Sequence, residues 1–160
     1  MLQNKPTVMR ITSPAFRDEE HIPRQYTRDG EDKSPPLQIE GVPANAKSLA
    51  LIMDDPDAPR GTFTHWIVFD LDPKMTEISE DQLPESARQG TNDWRISEYG
   101  GPKPPSGEHR YFFRLYALDD KPYLPRGATR HQLEEAMKGH IIATAELMGR
   151  YAAAVPAGAH

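Results

Sequence analysis

The 160-residue sequence predicts a mainly β, sandwich-like fold with one or two short helices. Three observations predict it. The segments "SLALIMD" (48–54), "FTHWIVFDLD" (63–72) and "EHRYFFRLYALD" (108–119) are short, nearly continuous runs of apolar, β-branched and aromatic residues, as in strands covered on both faces. Proline makes up 16 of the 160 residues, about twice its usual share of ~5%, and most of it lies between apolar runs, where it stiffens loops. A single segment carries both the start and the stop signals of a helix.

Taken in order, "RITSPAF" (10–16) reads as a short strand. Residues 21–43 are loop-rich: Asp29-Gly30 signals a turn, and Pro35-Pro36 forces an extended chain into a short strand at 37–40. The segments at 48–54 and 63–72 then read as central strands. A helix is expected from Glu80 to Arg88, interrupted by Pro84, and 108–119 is the third central strand. Thr129 followed by Gln132 forms a capping-box pattern, Leu133, Ala136 and Met137 give the apolar stripe, and Gly139 stops the helix. Beyond it, Ile141, Ala143, Ala145, Leu147, Gly149 and Tyr151 alternate with period two. That favours a strand, although helical spacing fits nearly as well. No repeat or low-complexity linker divides the chain, so residues 1–160 are read as a single domain.

Composition narrows the functional classes. The chain is 37% apolar and 27% charged with a net charge of −5, and it has no run of lysine and arginine, which argues against nucleic acid as a partner. No stretch approaches the roughly 18 apolar residues of a membrane span. "MLQNKPTVMRITSPAF" has no apolar h-region, so a cytoplasmic location is expected. There is no cysteine, which removes disulfides, thiolate metal sites and a cysteine nucleophile.

The chemistry gathers where the acidic stretch "MDDPDAPRGTFTHW" (53–66) joins two apolar runs. On strand parity Asp55 continues the row Leu49, Leu51 and Met53. His65 shares a row with Ile67 and Phe69, and His109 with Tyr111, Phe113 and Leu115. Antiparallel pairing of the first two central strands puts Asp55 and His65 on one rim. His109 joins them if its strand flanks the first in the same sense. Asp54 has the other parity and is left out. The loops "DPDAP" (55–59) and "YGGPKPPSGEH" (99–109) are stiffened by proline, and backbone N–H groups held in fixed directions suit an anion. Two imidazoles can add hydrogen bonds to phosphate or carboxylate oxygens. A carboxylate beside an anion must share a proton, orient a histidine or meet a cationic part of the ligand. By parity Arg110 faces away from His109. Either an ion pair with an acidic loop residue or a ligand role fits it, and Asp57 suits loop bracing.

At these residues the chain resembles the phosphatidylethanolamine-binding protein family, in its short bacterial and archaeal branch related to Raf-kinase-inhibitor-like proteins. The resemblance runs in order through "ITSPAF" (11–16), "IPRQYTRDGEDKSPPL" (22–37), "DDPDAP" (54–59), "THWIVFDL" (64–71), "QGTND" (89–93), "YGGPKPPSGEHRYFFRLYALD" (99–119) and "AELMGRY" (145–151). It implies a β-sandwich-like fold with an anion pocket at one end of the sheet, no cofactor and no established catalysis. It also implies a possible homodimer, and a partner that is a kinase or a protease. Carried over by position, the ligand-binding residues are Asp55, Pro56, Asp57, Ala58, Pro59 and His65 from the first motifs, and Lys103, Pro104, Pro105, His109, Arg110 and Tyr111 from the later one. Relatives often carry cysteine where Lys103 and Arg28 stand here. Lys103 therefore either strengthens anion binding or faces solvent.

The expected function is non-catalytic binding of a small anion or phosphorylated head group. Two alternatives compete with it. A hydrolase would use Ser106, His109 and Asp55 as nucleophile, base and orienting acid, but Ser106 lacks the "GxSxG" strand–turn–helix context. A zinc or manganese site would use the same aspartates and histidines, without tight ligand spacing such as HxxxH to support it.

Overall fold

The computed structural model describes residues 8–153. Its strands form two sheets. β1 (Arg10–Thr12), β2 (Leu37–Glu40) and β5 (Glu77–Ile78) make a small sheet in the order β1-β2-β5. β3 (Ser48–Asp55), β4 (Phe63–Leu71), β6 (Arg88–Gln89), β7 (Glu108–Leu118) and β8 (Ile141–Ala152) make a five-stranded sheet in the order β6-β4-β3-β7-β8, with antiparallel pairing throughout. A short 3-10 turn spans Arg24–Tyr26. The helix α1 spans Arg130–Met137.

The continuous apolar character of β3 has a direct cause: all eight of its residues are buried because both faces of the central sheet are covered. On one face Leu49, Leu51 and Met53 pack with Trp66, Val68, Tyr111, Phe113 and Leu115 against Ile11, Leu37, Ile39 and Ile78 of the small sheet. On the other face Ala50, Ile52, Ile67 and Phe69 receive Leu133 and Met137 of α1. The helix starts on the expected box. Thr129 Oγ1 accepts from the Gln132 N–H at 3.1 Å, and Gln132 Oε1 accepts from the Thr129 N–H at 2.9 Å. It stops at Gly139, whose φ of 78° only glycine adopts without strain.

Two expectations change. The segment from Glu80 to Arg88 is not a helix but a string of turns leading into the two-residue strand β6. Asp81 takes φ 54°, and Pro84 has no N–H to give to a helical ladder. The segment after Gly139 is a strand, as its period-two alternation favours: β8 pairs along its length with β7.

The second change lies in β4. Met53 pairs with Trp66 while the next residue, Asp54, pairs with Thr64, so His65 is an extra residue in a β-bulge. Simple alternation therefore fails there. Ile67 and Phe69 face α1, whereas His65 packs against Tyr111 on the side of the small sheet. A second bulge at Asp70, with φ 57°, comes between the pairs Leu51–Val68 and Leu49–Leu71 and turns Leu71 to the face of Val68.

Candidate functional site

Because β3 runs antiparallel to both β4 and β7, its last residue lies beside the first residues of both neighbours. Asp55 Oδ2 stands 2.6 Å from His109 Nδ1, and both residues are buried. The other oxygen, Oδ1, accepts from the Asp57 N–H at 2.8 Å. The carboxylate is thus fully engaged in orienting a histidine and bracing a loop. As it only accepts, the proton of this contact sits on His109 Nδ1.

His65 is held in the same way by a neutral acceptor, with Nδ1 2.7 Å from the Gly100 carbonyl oxygen. A carbonyl cannot donate, so Nδ1 carries the hydrogen. Neither ring's Nε2 has a partner among the described residues. Phe63, Trp94 and Tyr111 surround the His65 ring edge-to-face, at centroid distances of 5.2, 4.9 and 5.2 Å. Burial pushes this imidazole below its ordinary pKa, against the opposing pull of the Gly100 carbonyl. Burial also raises the Tyr111 phenol, helped by the negative charges of Asp55 and Asp57, so it remains a neutral donor.

These groups border a cavity of ≈ 360 Å³. Of the residues singled out in sequence, Asp55, Ala58, Pro59 and His65 line it from one side, and Lys103, Pro104, Pro105, His109 and Tyr111 from the other. Pro56, Asp57 and Arg110 do not line it. Asp57 grips Arg110 through both oxygens, at 2.9 Å to Nε and 2.8 Å to a terminal nitrogen, and it also accepts from the Arg110 N–H. That hydrogen bonding lowers the Asp57 carboxyl to about 2. Of the two roles open to Arg110 in sequence, the structure forms the ion pair, which ties the loop after β3 to the start of β7. Asp54 turns to the opposite face, where Arg114 and Arg130 hold it. Ser106 is exposed and outside the cavity lining.

Three lining residues were not among the expected set: Arg28, Phe63 and Trp94. The Arg28 guanidinium lies 4.7 Å from the centroid of the Trp94 ring. Trp94 is positioned by Asn92, which is buried. Asn92 Nδ2 donates to the carbonyls of His65 (3.2 Å) and Glu98 (3.0 Å), and its Oδ1 accepts from the N–H of Trp94 (2.9 Å) and of Ile96 (3.3 Å). The "QGTND" stretch held this signal in its Thr91-Asn92-Asp93 run, since such side chains bond nearby backbone and organise loops.

The loop at 99–109 works differently from the expected cradle of amides. The Gly100 N–H donates to the His65 carbonyl, and the Gly101 N–H donates to Asp32 Oδ1. These two amides are engaged inside the protein and are not free to hold an anion. A Cβ on Gly100 would collide with the Trp94 ring. The bare backbone is what lets this carbonyl reach His65.

Comparison with known proteins places the chain in a lineage. A UPF0098 protein of Methanothermobacter thermautotrophicus is 50% identical over 148 residues, spanning 89% of this chain and 98% of that protein. One from Aquifex aeolicus is 47% identical over 151 residues, spanning 90% and 88%. Among solved structures, the phosphatidylethanolamine-binding protein homologue CT736 of Chlamydia trachomatis superposes with a TM-score of 0.88 at 45% identity, over 91% of this chain and 97% of that one. The E. coli protein YbcL, described as a member of the mammalian family, gives 0.85 at 28% identity, over 91% and 99%. A family model described as phosphatidylethanolamine-binding protein matches residues 12–152. With a match of that extent, the chain belongs to the phosphatidylethanolamine-binding protein family.

Proposed function

We propose that this chain is a non-catalytic binding protein that holds a small anion or phosphorylated head group between His65 and His109. One observation carries the reading: two buried imidazoles, each fixed through Nδ1, leave both Nε2 atoms without a protein partner beside an aromatic-walled cavity. An anionic oxygen arriving at Nε2 makes the protonated ring favourable. At His109 the Asp55 carboxylate holds the ring from the Nδ1 side, which leaves Nε2 to donate to the ligand. Tyr111 offers a neutral hydroxyl, Arg28 supplies positive charge, and Lys103 adds its ammonium, 3.7 Å from Asp29 Oδ1.

A proton taken up by His65 on binding makes affinity rise as pH falls below ~6.5, because burial holds that ring's pKa down in the ligand-free protein. Calorimetry with inorganic phosphate and phosphoethanolamine, repeated in buffers of different ionisation enthalpy, tests this. Net proton uptake and a loss of about tenfold or more in affinity for His109→Gln and His65→Gln are expected. No heat at millimolar ligand, or histidine variants that bind like the parent, would overturn the reading. The hydrolytic alternative needs a nucleophile beside His109. An exposed Ser106 outside the cavity lining gives it no support, so the geometry favours binding.

A further inference from the structure

Ala58, Pro59 and Phe63 line the cavity and also a second, larger hollow of ≈ 820 Å³ on the far side of the same loop. The two hollows meet along this apolar saddle. The second is bordered by Arg60, Arg95 and His131, all exposed, and by the start of α1.

Its electrostatics are unusual for a chain of net charge −5. Among the described residues, Arg110, Arg114 and Arg130 are tied to carboxylates, while Arg60 and Arg95 have no ion-pair partner. A helix N-terminus favours acidic side chains, yet the first turn of α1 has none and carries Arg130 and His131. Asp54 and Glu134 neutralise Arg130. The one carboxylate in the hollow, Asp93, accepts from the Thr64 N–H at 2.7 Å. Arg95 sits at φ 64° in the turn that Asn92 organises, so the residue that supports Trp94 in the first cavity also sets the loop carrying Arg95.

We propose that this hollow is a second anion subsite, so that the ligand carries two anionic groups joined by a short apolar spacer lying over Ala58, Pro59 and Phe63. The proposal rests on the anion-binding reading of the His65–His109 cavity and extends it to a ligand class. One anionic group meets the histidines, the other meets Arg60 and Arg95, and the spacer covers apolar surface.

Calorimetry with butyl phosphate and with α,ω-alkanediol bisphosphates from ethane to octane tests it, in the parent and in Arg60→Gln/Arg95→Gln. Both arginines are exposed, so the variant retains the fold. The expected result is a bisphosphate of intermediate length binding at least about tenfold tighter than butyl phosphate, well beyond the roughly twofold statistical gain of two equivalent ends. That gain disappears in the double variant, while butyl phosphate affinity stays unchanged. If butyl phosphate binds and no bisphosphate exceeds the statistical gain, or if the gain survives loss of both arginines, the second subsite is wrong and the first stands. If butyl phosphate does not bind the parent, the reading of the first cavity fails and this one with it.

Discussion

His65 is held between two opposed effects, the cost of charging a ring in a buried aromatic setting and the pull of a carbonyl on its Nδ1 hydrogen. Burial is the larger. Its pKa in the folded protein lies below the value of about 6.5 for an exposed ring. Between those two values the unfolded chain binds more protons than the folded one. Stability is therefore fully present above ~6.5 and declines as pH falls towards the folded value. Imidazole ¹⁵N shifts followed through pH ~6.5 in the ligand-free protein should show His65 still neutral with hydrogen on Nδ1. A ring that titrates like an exposed histidine, or that carries its hydrogen on Nε2, would contradict this geometry. Asp57 illustrates the converse. Its carboxyl, lowered by Arg110, stays ionised far into acid and keeps the loop after β3 anchored there.

At the level of the element, α1 depends on local chemistry written in adjacent residues. Thr129→Ala removes the acceptor for the Gln132 N–H. It should cost about 1 kcal/mol in urea unfolding, and Thr129→Ser should recover most of it. Equal stability of the alanine and serine variants would show that the helix is held by Leu133 and Met137 alone. Such local signals are why α1, β3, β4 and β7 were legible in sequence: capping pairs and long apolar runs report a residue's own neighbourhood. β5 and β6 are two residues each, too short to carry a period, and a proline-broken acidic stretch passed for a helix. The same limit governs the site. Antiparallel pairing of β3 with β4 was enough to bring Asp55 and His65 to one rim, and the unbroken pairing of β3 with β7 adds His109 there. The face that His65 shows there is set by a bulge, which no alternation pattern reveals, and Arg28 and Trp94 arrive on loops whose path only the folded chain defines.

At the scale of the whole molecule, Asp54 joins three parts of the fold. The end of β3 is bonded through it to Arg114 on β7 and to Arg130 at the start of α1, with its side chain only 1% exposed. Removing the shared carboxylate leaves the two arginines facing each other with only the more exposed Glu146 and Glu134 as partners. Asp54→Ala should therefore lower stability by about 3–5 kcal/mol in urea unfolding. Phosphate affinity of the folded variant should hardly change, because Asp54 faces away from the cavity. A variant of parental stability would mean that the two arginines find water as readily as the carboxylate. The neighbouring strand carries a quieter consequence. β4 loses step with its partner at His65 and again at Asp70, and the two half-turns cancel. Between them the strand lays Ile67 and Phe69 under the helix. Outside them it resumes the count it would have kept uninterrupted. Deleting His65 alone would straighten the strand, keep Thr64 and Trp66 to Phe69 on their present layers, and lose only the imidazole. The imidazole reaches the cavity because β4 carries one residue more than its partner at that point.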